Sequence, residues 1–270
     1  MDYFNNKTVY ITGGSGGIGL ELAKKIYMQG SDMVLLARNE DKLKNAVLEV
    51  EKYKINEKQK VNYLSVDVAD YKKIKDKLIK GVELYGEPDI LINNAGISTG
   101  STAFENMSYE TFDKIIQTNL YGVWNITSIL FDYLKNRKGH IVIISSAAGL
   151  FGMHSYTAYG TSKGALNIFA ESLRYETKPY GMDVTLVCPP EVDTPLIDSE
   201  SPTLSPQGRK MKSMVGLLTT DFVAKEILKY VAKKRFCVIP GFRTKVFYFL
   251  HRVTNGWSSR FFSDLIIKRV

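Results

Sequence analysis

Tyr159 and Lys163 stand four residues apart in a stretch patterned as a helix, so their side chains share one face. That pairing has a definite chemical use. A phenol with its pKa near 10 neither gives nor takes a proton readily at neutral pH. Lowering it by about three units requires roughly 4 kcal/mol of extra stabilisation of the phenolate. An ammonium beside it in a dry site supplies an interaction on that scale. A tyrosine and a lysine at this spacing mean little alone in a chain with 16 tyrosines, and they gain weight from a second feature near the N-terminus. Thr12-Gly13-Gly14-Ser15-Gly16-Gly17-Ile18-Gly19 follows an apolar run at residues 9–12 and opens a helix. Glycine costs about 0.5–1 kcal/mol relative to alanine inside a regular element. So many glycines make sense where backbone passes close to a pyrophosphate seated on the helix N-terminus, whose free N–H groups and partial positive charge favour anions.

The second apolar run ends in Leu36-Ala37-Arg38-Asn39, with no acid. A carboxylate there would bind an adenosine ribose 2′-hydroxyl and repel a 2′-phosphate. Arg38 instead offers a planar donor fork matched to phosphate. Lys42 lies one helical turn further on, and Ser15 in the glycine run is another donor. The cofactor indicated is NADPH/NADP+; the competing reading makes Arg38 a solvated turn residue.

The spacing of Gly13, Gly17 and Gly19, T-G-x-x-x-G-x-G, is wider than the dinucleotide fingerprint G-x-G-x-x-G. With Asn93-Asn94-Ala95-Gly96 and Tyr159-Gly160-Thr161-Ser162-Lys163, it resembles the short-chain dehydrogenase/reductase family. The resemblance implies a catalytic set of Asn119, Ser146, Tyr159 and Lys163. In that set Tyr159 delivers a proton while hydride passes from the nicotinamide to a carbonyl carbon. Lys163 acidifies Tyr159 and holds the nicotinamide ribose, Ser146 binds the carbonyl oxygen, and Asn119 holds a water of the proton relay.

For the cofactor, the resemblance places Gly13, Ser15, Gly16, Gly17, Ile18 and Gly19 around the phosphates. It places Arg38 and Lys42 at the 2′-phosphate, Asp67 and Val68 at the adenine, and Asn94, Ala95 and Gly96 in the floor. Tyr159 and Lys163 meet the nicotinamide ribose, with Pro189, Val192 and Thr194 beyond them, the last two at the carboxamide and the pyrophosphate. Asp67 also reads as a helix cap, a role for which Asp70 is better placed. The family's usual Pro-Gly is here Pro189-Pro190, which restricts the backbone beside the carboxamide.

That departure is informative. Cys188-Pro189-Pro190-Glu191-Val192-Asp193-Thr194-Pro195 is similar to the 3-ketodihydrosphingosine (3-dehydrosphinganine) reductases, as are residues 37–43 and 151–163. The likeness covers about residues 7–195 and implies reduction of 3-ketosphinganine to sphinganine in sphingolipid synthesis. Two other readings stay open: a reductase of another hydrophobic ketone (a 3-oxoacyl thioester or a steroid), and a non-catalytic NADPH-binding scaffold.

Positioning these residues takes a particular order of elements. Apolar runs at residues 9–12, 33–37, 61–66, 90–93, 141–145, 184–187 and 235–239 alternate with helical patterns at 17–29, 40–53, 71–85, 109–135, 161–180 and 221–233. Continuous apolar strands imply a sheet covered on both faces, hence parallel. The fold expected is α/β: a Rossmann-type doubly wound parallel sheet with helices on both faces, in a single domain with a C-terminal helical tail. Residues 1–240 form the reductase domain, with a substrate lid at about 196–217 following the sixth strand; the alternative for that stretch is a plain surface loop. Residues 241–270 form a basic amphipathic extension.

The chain has 270 residues, 44% hydrophobic and 24% charged, which suits one globular domain and excludes general disorder. Cys188 and Cys237 read as buried free thiols, and His140, His154 and His251 lack metal-ligand spacing, so no metal is expected. No signal peptide or spanning segment is visible, which points to a cytoplasmic protein, free or peripheral on the cytosolic face of a membrane. The net charge of +8 is concentrated late, where Asp264 is the single acid from Lys233 onward. The tail mixes aromatic and aliphatic residues with Arg and Lys, as in a helix lying in a membrane interface; it equally suits packing on the domain or on an oligomer partner. A lipophilic ketone substrate and a homo-oligomer, dimer or tetramer, are the partners expected, and nucleic acid is not.

Overall fold

The computed structural model describes residues 3–98, 102–200 and 205–268, leaving out the side chains of 198–200 and 213–215. Six strands come first, β1 (Thr8–Thr12), β2 (Asp32–Ala37), β3 (Val61–Ser65), β4 (Ile90–Asn93), β5 (His140–Ile144) and β6 (Asp183–Val187). Two short strands, β7 (Glu191–Val192) and β8 (Leu217–Leu218), pair with each other, and β9 (Cys237–Val238) ends the series. Seven strands make one parallel sheet in the order β3-β2-β1-β4-β5-β6-β9.

Every inner strand sends alternate side chains to opposite faces, and both faces are apolar. Val9, Ile11, Ile90 and Ile92 pack with helices α1 (Gly17–Tyr27), α2 (Glu40–Glu51) and α9 (Thr220–Val231) through Leu22, Leu43 and Val223. Tyr10, Leu91, Ile141 and Ile143 pack with α3 (Tyr71–Tyr85), α5 (Gly122–Asn136) and α6 (Thr157–Thr177) through Leu78, Ile126 and Leu166. Strand order reverses between β1 and β4, and in sheets of this kind the crevice beyond the carboxyl ends at that switch point is where ligands bind.

The expected fold class is the one observed, with differences in detail. The stretch read as one helix over 109–135 is α4 (Tyr109–Ile116) and α5 joined by a π-helical turn, Gln117–Tyr121. The turn carries Asn119, whose amide grips the backbone of Ile97. Helix α6 begins at Thr157, four residues before the apolar pattern indicates, so Tyr159 and Lys163 both lie on it.

The described residues of the stretch expected as a lid form regular elements rather than a plain loop. It holds the end of α7 (Pro195–Glu200) and all of α8 (Pro206–Val215) before β8; its residues 201–204 lie outside the described residues. Helix α8 starts where Ser205 accepts a hydrogen bond from the Gly208 N–H, with Pro206 in the first turn, and it ends at Gly216 in a left-handed conformation. Helices α10 (Phe242–Val253) and α11 (Trp257–Lys268) pack on each other and on α8. Cys188 is buried as expected, but Cys237 is exposed, because β9 is a two-residue edge strand.

Candidate active site

One cleft of about 690 Å³ opens beyond the carboxyl ends of the central strands. Gly13, Ser15, Gly16, Gly17 and Ile18 line one end, with Arg38 and Lys42 at the rim. Asn94, Ala95, Gly96, Ser146, Tyr159, Lys163, Pro189, Val192 and Thr194 line the rest. The sequence-predicted residues at these positions are therefore brought together from segments far apart in the chain. Four others are not in the cleft wall: Gly19, Asp67, Val68 and Asn119.

The glycine turn is shaped by close approach. Gly13 has a φ of +66°, and a Cβ on it would stand 2.8 Å from Asn94 Nδ2. Gly19 touches the turn from behind, where a Cβ would meet the Gly13 carbonyl oxygen at 2.4 Å, so its task is packing. Gly16 faces open space, and a side chain there would enter the cleft. No side chain caps α1 and no acid lies in its first turn, whereas α2 and α3 are capped by Asn39 and Asp70. The α1 N–H groups are thus turned toward the cleft without an internal acceptor from a side chain.

Thr12, which the sequence reading quoted only as the start of a motif, fixes the floor. Its Oγ1 accepts hydrogen bonds from Asn94 N (2.9 Å) and Ala95 N (3.0 Å), and Asn94 Nδ2 donates to the Thr12 and Gly13 carbonyls. Asp67 stands behind the rim, 3.8 Å from Arg38 and accepting from Ala69 N. Val68 is a core residue whose side chain packs on Gly122.

At the other end, α6 presents Tyr159 and Lys163. Lys163 is 4% exposed, and its Nζ donates to the Ile144 carbonyl at 3.0 Å and lies 5.7 Å from the centre of the Tyr159 ring. Burial pushes this ammonium down to about 8, offset in part by the Cys188 thiol nearby. Ser146 is held at the β5 end with its Oγ accepting from Ala148 N at 3.2 Å, and it faces the same cleft. Ser145 turns its hydroxyl toward α6, within 2.9 Å of the Lys163 carbonyl and 2.7 Å of Asn167 Oδ1. Gly149 allows the serine segment to lie on α6, since a Cβ on it would fall 2.6 Å from the Lys163 carbonyl carbon. Asn119 is wholly buried, accepting from Ile97 N and donating to Ile97 O and Ser162 Oγ. Its amide is occupied by protein groups and supports the segment beside Lys163.

The remaining wall is largely apolar and comes partly from residues 195–212. Met153, Tyr156, Pro195, Leu196 and Ile197 line it, and Glu191 and Lys212 form an ion pair at 2.7 Å within it. This pair was not legible in the sequence, because its members lie in different elements and follow no motif.

A family model described as short chain dehydrogenase matches residues 7–205. A 3-ketodihydrosphingosine reductase of Bos taurus is 39% identical over 230 residues, covering 84% of this chain and 69% of that protein. A 3-dehydrosphinganine reductase of Danio rerio is 38% identical, covering 86% and 70%. A protein of Xenopus laevis named dehydrogenase/reductase SDR family member 7B is 34% identical, covering 86% and 73%. Among solved structures, a short chain dehydrogenase from Mycobacterium paratuberculosis bound to NAD superposes with a TM-score of 0.80 at 21% identity, covering 90% of this chain and 99% of that one.

Proposed function

The chain belongs to the short-chain dehydrogenase family, and on that premise we propose that it is an NADPH-dependent reductase of 3-ketosphinganine, yielding sphinganine. The observation that carries the reading is the placing of Ser146, Tyr159 and Lys163 on one cleft whose other end is a glycine turn at an uncapped helix N-terminus. Relatives carrying that activity in their names match along most of the chain.

A dinucleotide fits the residues present. Gly16 leaves open space, the α1 N–H groups offer a phosphate seat, and Arg38 and Lys42 stand at the rim as donors for a 2′-phosphate. When bound, the reduced nicotinamide supplies the hydride. The chain's own groups do the rest. Ser146 already accepts the Ala148 N–H, which leaves its hydroxyl hydrogen for a carbonyl oxygen in the cleft. Tyr159 delivers the proton to that oxygen. With its pKa near 8, Lys163 is mostly protonated at pH 7, and its positive charge beside the phenol favours proton release. Asn119 positions the Ile97 segment against this group. The apolar outer wall gives a long acyl chain a dry path.

The test is consumption of NADPH, and separately NADH, with 3-ketosphinganine against a panel of other lipophilic ketones. Turnover of a steroid or a 3-oxoacyl thioester in its place would redirect the substrate assignment. Tyr159→Phe should keep fold and NADPH binding and abolish turnover; near-wild-type turnover would refute the role of Tyr159.

The same reading places the protein at the cytosolic face of a membrane. Among the described residues no helix is long and apolar enough to cross one. Helices α10 and α11 nevertheless expose Phe242, Phe249, Val253 and Trp257 beside Arg252 and Arg260, a composition suited to the lipid interface. A chain ending at Pro240 should pellet less with liposomes than the full chain; equal pelleting would end the idea. A homo-oligomer joined through the long helices is also part of the reading, since Tyr121, Trp124 and Ile168 are exposed there. Light scattering checks it, and a monomer at all concentrations rejects it.

A further inference from the structure

Among the described residues of the cleft wall, Glu191 is the single carboxylate. It meets Lys212 Nζ at 2.7 Å, with the two side chains only 18% and 10% exposed. The same ammonium lies 5.5 Å from the centre of the Tyr156 ring, and that ring stacks edge-on with Tyr159 at 6.0 Å. Carboxylate and aromatic face together make a cation seat, and the lid supplies the primary ammonium that fills it.

Glu191 is preset rather than mobile. The preceding Pro189 carbonyl accepts from Ala147 N at 2.8 Å, Pro190 fixes its own φ, and Asp193 N donates to Leu218 O at 2.9 Å, closing the β7–β8 pair around it. The carboxylate bonds Lys212 through Oε1, and among the described residues no donor reaches Oε2. A buried ion pair is a poor way to gain stability, because both charges lose water. Apolar side chains of the lid, such as Met211, would hold α8 down without that cost. The pair therefore calls for a role in the cleft.

We propose that Glu191, with the Tyr156 ring, is an ammonium subsite of the substrate cleft, and that Lys212 is an internal occupant which an amino ketone replaces. The inference rests on the ketone-reductase reading and sharpens it. In a 2-amino-3-ketone the ammonium is carried on the carbon beside the reacting carbonyl. A site that seats an ammonium in the cleft that also holds Tyr159 therefore selects this class over plain ketones. Because one primary ammonium takes the place of another, charge balance in the cleft is preserved.

The test compares a long-chain 2-amino ketone with the same ketone lacking the amine, using the full chain with NADPH. Glu191→Gln should lower kcat/KM for the amino ketone at least about tenfold more than for the plain ketone, the effect of losing one charge-assisted hydrogen bond. Lys212→Met, which removes the competing ammonium, should lower KM for the amino ketone alone. Equal losses on both ketones in Glu191→Gln would show the pair to be a lid latch and overturn the proposal. A second measurement does not depend on turnover: wild type should bind dodecylammonium more tightly than dodecanol, and Glu191→Gln should lose that preference. A preference unchanged by Glu191→Gln also overturns it. Failure to reduce any ketone, with the binding preference present, would reject the reductase reading and leave the ammonium seat standing.

Discussion

Replacing Lys163 with Met should make the protein more stable and inactive at once. Burial lowers the Lys163 ammonium from 10.5 to about 8, and at 1.36 kcal/mol per unit the folded state bears about 3 kcal/mol for keeping it charged. Losing the bond from Nζ to the Ile144 carbonyl gives back about 1 kcal/mol. The Lys163→Met variant should therefore gain about 2 kcal/mol at pH 7, a rise of roughly 5 °C in Tm for a domain of this size. The pH dependence carries the proof. Below pH 8 both folded and unfolded wild type hold the proton, and the penalty is fully present. Between pH 8 and 10.5 the unfolded chain binds more protons than the folded one, so wild-type stability rises with pH while the variant lacks this gain. Urea denaturation of both cofactor-free proteins across that window should show the gap narrowing and then reversing. A gap that stays constant with pH, or a wild type already more stable at pH 7, would refute the argument. Stability surrendered for a charged group in the cleft is what a functional site is expected to show.

Other outcomes follow from the same geometry. Thr12→Val should cost about 2 kcal/mol or more, since it strips the Asn94 and Ala95 N–H groups of their acceptor; chemical denaturation measures it, and a neutral result would show that water replaces the hydroxyl. Gly149→Ala should destabilise by about 1–3 kcal/mol and lower kcat more than it raises the cofactor Kd, because its Cβ would fall 2.6 Å from the Lys163 carbonyl carbon and push Ser146 away from α6. Arg38→Glu should reverse the preference between NADPH and NADH, read as the ratio of kcat/KM; an unchanged ratio removes Arg38 from the 2′-phosphate. His140 is held neutral, pushed down to about 4 by burial. Below pH 6.5 the unfolded chain takes up a proton that the folded one refuses, so stability should fall from pH 6.5 to about 4, by about 3 kcal/mol in all. A His140→Gln variant, which keeps the hydrogen-bonding groups facing Tyr3 and Thr185, should show a shallower fall over that window; an identical slope would exclude His140 as its source.

What the sequence determined by itself is whatever is encoded within a few residues. Runs such as Ile141 to Ile144, apolar at every position and of strand length, read as strands covered on both faces, and both faces are indeed packed. The glycine turn and the Tyr159–Lys163 spacing were legible because close backbone approach and a shared helix face are local properties. Even the start of α8 was written locally, as Ser205 before Pro206, although the stretch read as loop. Tertiary structure alone decided the rest. Only the meeting of β4, α6 and the π-helical turn puts the Asn119 amide on the Ile97 backbone rather than in the cleft. The contact of Lys212 with Glu191 depends on α8 folding back across some twenty residues of chain, and no periodicity records that. Contacts of this kind are fixed by the packing of whole elements, whose free energy is shared among many side chains and leaves no mark at any single position.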